Sequence, residues 1–592
     1  MHLGKLKRCC KKKQVILVDF FDTTMFRHIH SSKLMRQWSA MMQSKFAAFL
    51  EEEMHPSFEA IRIESIKELG GEECRIKYGD LIAHIYNKMP DSIQNKVAYE
   101  DFYRVSYEID MYIDMGMQYP NSRMVKLLRR EKALGKRIIL VTDYYLPRSA
   151  IDRYLYFFRI NLFDDIFCSS EFGATKAKGD LYQIVIKKIG SDTGKVLMVG
   201  DSRISDWLNA KKIGIEAFHY IPFFHKIKTR ISKRESNTFS QKYVATLFRQ
   251  CLRFTQYGEY GIVLYFFSKE LYKYCILEGI NSIGFLSRGG FFLKRAFEQY
   301  EKLSVAKTIT TTYIKNSRKV NFAARENERD KQCLMEYLGM FLQQDKLVFV
   351  DEGWYGHGQD IIAEVTGWKI HGYYIGMMNA SSDDRNYKKG ILFSSCGNKE
   401  KSPYFGVFRT NLTFYEQILS APHGSVVAYQ RSKTGQIIIK EEWNEREKKL
   451  YYEYTQKLQE KMKEILSFCT VWNVDINLYL LAKCLVKSLL FGKKDRCNLL
   501  GIYSNSYFDN FKATSNKEFG KISMIDIKIP DLLLRPEECM RYFCKLKEIG
   551  NKAFCFIYPI IGIMIYCYCM LSIKVKTALK IIPGFGEYKK DS

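Results

Sequence analysis

The chain has 592 residues, of which 47% are hydrophobic, and its formal net charge is +27. That length exceeds one hydrophobic core, and the hydrophobic content is enough to give each of several domains its own. The positive charge implies an anionic partner or surface, but we find no zinc finger, recognition-helix signature or interleaved basic and aromatic residues. Nucleic acid is therefore excluded from the expected partners.

The cysteines and the first residues of the chain indicate its compartment. The sixteen cysteines show no metal-ligand spacing, and no apolar core precedes the first predicted strand at Val15. We therefore expect a cytoplasmic protein with reduced thiols.

The first predicted strand ends at a candidate site residue. Residues 15–18 are all apolar, and Asp19 follows them directly, with Phe21 and Asp22 just beyond. A short apolar run of this kind is typical of a buried strand in a parallel sheet. Asp19 is therefore predicted at the carboxyl end of a strand.

The next hundred residues favour helices. Apolar residues recur there at spacings of three and four, as in Met41, Phe46, Phe49 and Leu50. This periodicity predicts a helical insertion over about 31–125.

Three further motifs follow the insertion in chain order. Residues 138–141 are apolar and lead into Thr142, Lys176 follows, and the apolar run 196–199 leads through Gly200 into Asp201, with Asp206 beyond. Because the carboxyl ends of neighbouring parallel strands meet at one crevice, these side chains and Asp19 are expected to form one site.

The ordered set resembles the haloacid dehalogenase (HAD) superfamily over about the first 225 residues. The resemblance implies an α/β fold with a Rossmann-like parallel sheet, and it identifies 31–125 as a helical cap that closes over the active site. It implies that Asp19 is the nucleophile, that Thr142 and Lys176 hold the phosphoryl group and steady the nucleophile, and that Asp19, Asp201 and Asp206 hold Mg²⁺. These residue types suit phosphoryl transfer, which needs a carboxylate nucleophile, a hard cation and donors for the phosphoryl oxygens.

One position departs from the pattern of HAD phosphatases. They carry a second Asp two residues after the nucleophile, as general acid and base, and this chain has Phe21 there. Phenylalanine cannot transfer a proton. Asp22 or a group supplied by the helical cap can take over the acid and base work, or Asp22 can instead cap the following segment. A further possibility is that the chain has kept the fold and lost its catalytic activity.

The segment 143–147 resembles large multidomain HAD-like proteins associated with bacterial surface-polysaccharide biosynthesis. This resemblance alone implies a phosphorylated sugar or glycan precursor as substrate and glycosyltransferases as partners.

A second α/β domain is predicted over 249–440, after a basic linker at 226–248. Apolar runs at 283–286 and 347–350 each end in a glycine-containing loop followed by a helical pattern, and 372–377 reads as another strand. Glycines permit close approach of the backbone to an anion, and paired acids at a strand end are faintly similar to the ribose-phosphate loop of phosphoribosyltransferases. The candidate ligand-binding residues of this domain are Arg288, Gly289, Asp351, Glu352, Trp354 and His357.

A helical C-terminal region is predicted over 441–592. Residues 553–573 are almost continuously apolar and are flanked by lysines. This segment can lie in the interface of an anionic membrane, span a bilayer or pack as a buried helix. Lysines on its far side disfavour the spanning arrangement, and the interfacial one would place the protein peripherally on the inner face of the plasma membrane.

These observations predict a Mg²⁺-dependent hydrolase or phosphotransferase that acts on a phosphorylated sugar or polysaccharide precursor through an aspartyl-phosphate. One alternative is a catalytically inactive HAD scaffold whose second domain binds a sugar or nucleotide and which partners glycosyltransferases. Another is a phosphoribosyltransferase-like activity in the second domain, centred on Asp351 and Glu352.

Overall fold

A computed structural model of the chain divides it into two compact units. The first comprises Met1–Gln250, Glu301–Lys307 and Ser467–Val474, and the second comprises Cys251–Tyr300, Thr308–Leu466 and Asp475–Ser592. The structure describes residues 2–49, 57–227, 258–305, 307–342, 346–396, 399–400, 404, 407–408, 415–416, 418–491 and 558–581. Most of the predicted linker, from residue 228, and the first five residues of the apolar segment, 553–557, lie outside the described residues.

A five-stranded parallel sheet forms the centre of the first unit, with strand order β5-β4-β1-β6-β7. The first unit also contains a separate pair of antiparallel strands, β2 and β3. The strands are β1 (Val15–Val18), β2 (Met25–Arg27), β3 (Gln118–Pro120), β4 (Arg137–Thr142), β5 (Asp165–Cys168), β6 (Val196–Gly200) and β7 (Glu216–His219).

The three central strands are the apolar runs of the sequence, and they are buried because helices cover both faces of a parallel sheet. Every residue of β1 and β6 is buried, and so is β4 beyond its first residue. Their side chains build one core with the helix Asp180–Ile189, which contributes Leu181, Tyr182 and Val185. The predicted parallel α/β sheet of the first unit is confirmed.

The insertion between β2 and β3 is helical, as predicted. Its helices are Ser32–Phe46, Phe58–Glu68, Tyr78–Asn87, Asp91–Gln94 and Tyr99–Met117. Aromatic side chains form its interior, where Trp38, Phe58 and Phe102 are fully buried. The remaining helices of the first 227 residues are His2–Cys10, Ser122–Ala133, Arg148–Phe157, Ser169–Phe172, Asp180–Ile189, the π-helix Arg203–Leu208 and Asn209–Lys212.

The second unit contains a six-stranded sheet with strand order β13-β12-β11-β10-β8-β9. All of its pairings are parallel except the short one between β12 and β13. A hairpin, β14–β15, follows it in the chain. The strands are β8 (Ser282–Leu286), β9 (Thr310–Ile314), β10 (Lys346–Asp351), β11 (Lys369–Met377), β12 (Asn386–Cys396), β13 (Lys399–Glu400), β14 (Ser425–Arg431) and β15 (Ile437–Glu442).

Helices alternate with these strands and make up most of the described C-terminal region, so the predicted second α/β domain and helical C-terminal region are confirmed. They are Glu259–Leu277, Gly290–Ser304, Arg318–Glu326, Glu328–Gly339, His357–Thr366, Glu445–Leu450, the π-helix Tyr451–Thr455, Gln456–Val471, Leu478–Phe491 and Tyr558–Ile581. Within the described ranges, none of the helices combines the length and the apolar character that crossing a membrane requires.

Candidate functional sites

The first candidate site lies at the carboxyl ends of three neighbouring strands. Asp19 follows β1, Thr142 is the last residue of β4, and Asp201 follows β6. The strand register places Val18 opposite both Leu140 and Val199, and the Asp19 N–H donates a 2.9 Å hydrogen bond to the Val199 carbonyl. The parallel register therefore brings these sequence-distant residues to one edge.

Lys176 joins two of the predicted carboxylates. Its ammonium Nζ lies 2.5 Å from Asp19 Oδ1 and 2.6 Å from Asp206 Oδ1, and all three side chains are buried. Burial opposes the charged form of Lys176, but the two carboxylates outweigh it and raise the pKa of the ammonium well above its ordinary value. Lys176 is thus held as a cation.

The loop that carries Lys176 is fixed by two side chains that sequence reasoning did not assign. Both oxygens of Asp143 accept backbone N–H groups, from Lys176 at 2.7 Å and from Ala177 at 3.1 Å. The Asn209 amide donates to the carbonyls of the same two residues, at 3.0 and 2.8 Å. Asp143 follows Thr142 at a strand end, which could have marked it, whereas nothing in the sequence marks Asn209.

Asp19, Asp201 and Asp206 form an acidic triad. One carboxylate oxygen from each lies within 4.8 Å of the others. Burial raises the pKa of Asp19 well above its usual value, Lys176 opposes the rise, and Asp206 and Asp201 add to it. A cation held among them would offset this repulsion, and carboxylate oxygens are the ligands that Mg²⁺ prefers. The donor set fits a magnesium ion.

Thr142 presents a buried hydroxyl to this edge. The residue is 0% exposed, and its Oγ1 has no hydrogen-bond partner in the part of the chain that the structure describes. A buried polar atom without a partner costs free energy, and at a functional site a ligand commonly satisfies it. An anion bound beside Asp19 would accept a hydrogen bond from it.

Phe21 is locked in place by its neighbours. The Arg27 guanidinium lies 3.6 Å from the centroid of its ring, and the Tyr144 ring centroid is 4.7 Å away. Arg27 is in turn held by a two-pronged ion pair to Asp114, at 2.7 and 2.9 Å, and the Tyr144 hydroxyl donates to the same carboxylate at 2.7 Å. The structure therefore supplies packing, not a proton donor, at this position.

Asp22 stands in an unusual backbone conformation and faces a histidine. Its φ of 56° is in the left-handed region, which short polar side chains tolerate. Its Oδ1 lies 2.7 Å from Nε2 of the buried His225, whose Nδ1 lies 3.4 Å from the Tyr119 hydroxyl. Burial alone would raise the pKa of Asp22, but His225, Arg27 and Lys226 outweigh it and lower the pKa.

His225 and Lys226 were missed by the sequence interpretation, which assigned them to the end of the first domain and to the linker. Lys226 Nζ lies 3.1 Å from Asp201 Oδ2 and donates to the Asp201 carbonyl at 3.1 Å. Consecutive residues after β7 therefore contact Asp22 and Asp201. No spacing pattern in the sequence predicts the contact between Asp22 and His225, which are 203 residues apart.

In the second unit, the predicted ligand-binding loops follow adjacent strands. β8 and β10 are neighbours, while β9 lies on the other side of β8, so the chain leaves these two strands in opposite directions. Ligands of open α/β sheets bind at such switch points. A Cβ at Gly289 would lie 1.7 Å from Glu352 Oε2, so glycine alone permits the two loops to approach this closely.

The switch point between β8 and β10 collects partly buried charged groups. Burial raises the pKa of Asp351 to about 7. Burial also raises the pKa of Glu352 well above its usual value, and the negative charges of Asp351 and Glu416 raise it further. Glu352 Oε2 is buried and accepts no hydrogen bond from any described residue. Arg288 pairs with Glu447 at 2.8 Å, and the Trp354 Nε1–H donates to Glu416 at 2.9 Å.

His357 belongs to the exposed side of the second loop. It is the first residue of its helix, is exposed, and stacks on the exposed Tyr355 with ring centroids 5.6 Å apart.

A parallel sheet with a helical insertion and acids at the strand ends defines the first unit as a Rossmann-like α/β domain. Residues 13–214 match the family model described as haloacid dehalogenase-like hydrolase. This part of the chain is therefore a HAD-like hydrolase domain, as the motifs predicted.

A curated relative and several solved structures are similar to part of the chain. A sesquiterpene phosphatase of Aspergillus oryzae is 28% identical over 104 residues, which are 18% of this chain and 52% of that protein, so the chain spans about half the length of this relative. The 2-haloacid dehalogenase of Pseudomonas syringae is 14% identical, with 35% of this chain and 86% of that chain covered and a TM-score of 0.27. A HAD phosphatase of Thermococcus onnurineus is 15% identical, with 36% and 87% covered and a TM-score of 0.25.

Proposed function

We propose that the first unit is a Mg²⁺-dependent phosphohydrolase in which Asp19 is the nucleophile. The observation that carries this proposal is the convergence of Asp19, Asp201 and Asp206 within 4.8 Å, with the ammonium of Lys176 bridging Asp19 and Asp206. Phosphoryl transfer needs this combination of a carboxylate nucleophile and nearby positive charge.

In this proposal the chain's own residues divide the work. Asp19, Asp201 and Asp206 would hold Mg²⁺, which when bound offsets the negative charge of the phosphoryl group. Asp19 attacks phosphorus to form an aspartyl-phosphate, while Thr142 donates a hydrogen bond to a phosphoryl oxygen. Lys176 steadies the nucleophile, and Asp143 and Asn209 hold Lys176 in position through its backbone.

We propose a phosphorylated sugar or glycan precursor as the substrate. The similarity of residues 143–147 to HAD-like proteins of polysaccharide biosynthesis supports this class. The helical insertion, between β2 and β3, stands where caps of HAD enzymes select substrates.

Phosphate release from a panel of sugar phosphates and p-nitrophenyl phosphate with Mg²⁺ tests the proposal. We expect release by the protein and none by Asp19→Asn. Asp192→Asn is the matched control, because Asp192 serves only a turn, where it accepts the Gly194 N–H. Release that is equal in the protein and in Asp19→Asn would contradict the proposal and favour a scaffold.

A second candidate function concerns the second unit, which we propose binds a sugar or nucleotide at the switch point between β8 and β10. The buried, unsatisfied Oε2 of Glu352 supports it, because a ligand hydroxyl would supply the missing donor. Titration calorimetry with uridine diphosphate glucose should give heat that is lost in Glu352→Gln and kept in Glu442→Gln, whose side chain is 75% exposed. Equal heats in the three proteins would contradict this site.

Membrane association is proposed for the helix Tyr558–Ile581. One of its faces carries apolar side chains that are about half exposed or more, and the net charge of +27 suits an anionic surface. Co-sedimentation with vesicles of anionic phospholipid should fall when the face is made polar and should not change in Leu134→Ser, an exposed leucine elsewhere. Unchanged sedimentation of the polar variant would contradict it. The face consists of Ile560, Ile563, Met564, Leu571 and Val575.

A further inference from the structure

Among the described residues at the strand ends of the first unit, none of those discussed above is placed to protonate a leaving alcohol. Phe21 stands where HAD phosphatases have an acid, and its ring is clamped by Arg27 at 3.6 Å and by Tyr144 at 4.7 Å. Arg27 is a permanent cation that is occupied by Asp114, and the Tyr144 hydroxyl already donates to that carboxylate. Neither clamping residue is a proton donor.

Asp22 cannot take over this role, because the groups around it favour its ionised form. His225 Nε2 lies 2.7 Å from its Oδ1, and the charges of Arg27 and Lys226 add to the effect. His225 is buried, with its other nitrogen 3.4 Å from Tyr119, so neither ring nitrogen faces a substrate.

Three further titratable groups at this edge are also engaged by other residues. Asp143 uses both oxygens to accept backbone N–H groups, Lys176 is shared between two carboxylates, and Lys226 is held on Asp201. A carboxylate that stays ionised has no proton to give at neutral pH and can accept one only transiently. Asp22 is also within electrostatic reach of the triad, because its charge raises the pKa of Asp201.

We infer that this site cleaves phosphoryl groups from leaving groups that depart as stable anions, above all the terminal phosphate of a diphosphate, and not from simple alcohols. The inference rests on the proposed function and narrows its substrate class. Within the glycan precursors proposed above, it selects those in which a phosphoanhydride is broken.

The two steps balance without a general acid. In the first, an Asp19 oxygen forms a bond to the terminal phosphorus, and the bridging P–O bond breaks with its electron pair on the leaving phosphate. In the second, water attacks the phosphorus of the aspartyl-phosphate, its proton passes to the Asp22 carboxylate, and the P–O bond to Asp19 breaks. Inorganic phosphate leaves, Asp19 is restored, and Asp22 releases its proton to solvent.

The test is the dependence of kcat/KM on the leaving group. The probes are uridine diphosphate, p-nitrophenyl phosphate, phenyl phosphate and glucose 6-phosphate, each measured with the protein and with Asp19→Asn. Because a general acid contributes about 100-fold or more, we expect the alkyl phosphate to react about 100-fold more slowly than the diphosphate. The rate should also fall with the acidity of the leaving group, from p-nitrophenyl phosphate through phenyl phosphate to glucose 6-phosphate.

The outcomes separate this inference from the function on which it rests. Release that depends on Asp19 but is as fast from glucose 6-phosphate as from the diphosphate would overturn the inference alone. If none of the probes gives phosphate release that depends on Asp19, both the inference and the proposed function are overturned.

Discussion

Gly200 and Asp206 approach so closely that only glycine fits at the end of β6. A Cβ added at Gly200 would lie 2.2 Å from Asp206 Cγ, well inside any real contact. The Asp206 carboxylate in turn accepts the Ser202 N–H at 2.9 Å and binds Lys176. The missing side chain at one strand end thus sets the position of a proposed metal ligand.

Gly200→Ala is therefore expected to displace Asp206 and to weaken Mg²⁺ binding by about 10-fold, as loss of a supporting contact does at metal sites. Titration calorimetry with Mg²⁺ measures this. Gly194→Ala is the control, because the nearest atom to its added Cβ is 3.6 Å away. Equal affinities of the two variants would show that Asp206 does not hold the ion.

Lys176→Met is expected to lower the free energy of unfolding by about 3 kcal/mol in the absence of metal, because it leaves two buried carboxylates without their cation. Urea denaturation with a chelator present measures the change. Lys178→Met is the matched control. That residue pairs with Glu72 at 2.9 Å, but its side chain is 59% exposed, so its loss should cost less than about 1 kcal/mol. Similar losses in both variants would refute the bridging role of Lys176.

Thr142→Val should separate binding from stability. The hydroxyl has no hydrogen-bond partner among the described side chains and backbone groups, so its removal should change the free energy of unfolding by less than about 1 kcal/mol. If it donates to a phosphoryl oxygen, kcat/KM should fall about 100-fold. Thr142→Ser keeps the hydroxyl and should keep the activity. An active valine variant would exclude Thr142 from phosphoryl binding.

The surroundings of Asp22, which include the contact with His225 at 2.7 Å, give a pH-dependent contribution to stability. The pKa of Asp22 is lower in the folded protein than in the unfolded chain, so the contribution is complete above the ordinary aspartate pKa and is lost as the pH falls through the folded value. The stability difference between the protein and Asp22→Asn should therefore be constant from about pH 5 to pH 7 and shrink below about pH 4.

Chemical denaturation at several pH values tests this expectation. The groups that face Asp22 are His225, Arg27, Lys226, Asp201 and Tyr119. A difference that shrinks as the pH rises from 5 to 7 would contradict the assignment.

The sequence by itself determined the sheet edge of the first unit. Four apolar residues stand before Asp19, four before Thr142 and four before Gly200 and Asp201, and such runs are typical of buried strands in a parallel sheet. Parallel strands then leave the polar residues at one end. The alternation of such runs with helical patterns likewise predicted the second sheet.

Only the tertiary structure decided which neighbours complete each site. The clamp on Phe21 depends on Arg27 and Asp114, which are 87 residues apart, and His225 reaches Asp22 from 203 residues away. The adjacency of β8 and β10, with β9 placed outside them, is likewise a choice of pairing among similar strands. Periodicity reports the face of an element and not its partner, because contacts between distant segments are selected by the packing of the whole chain.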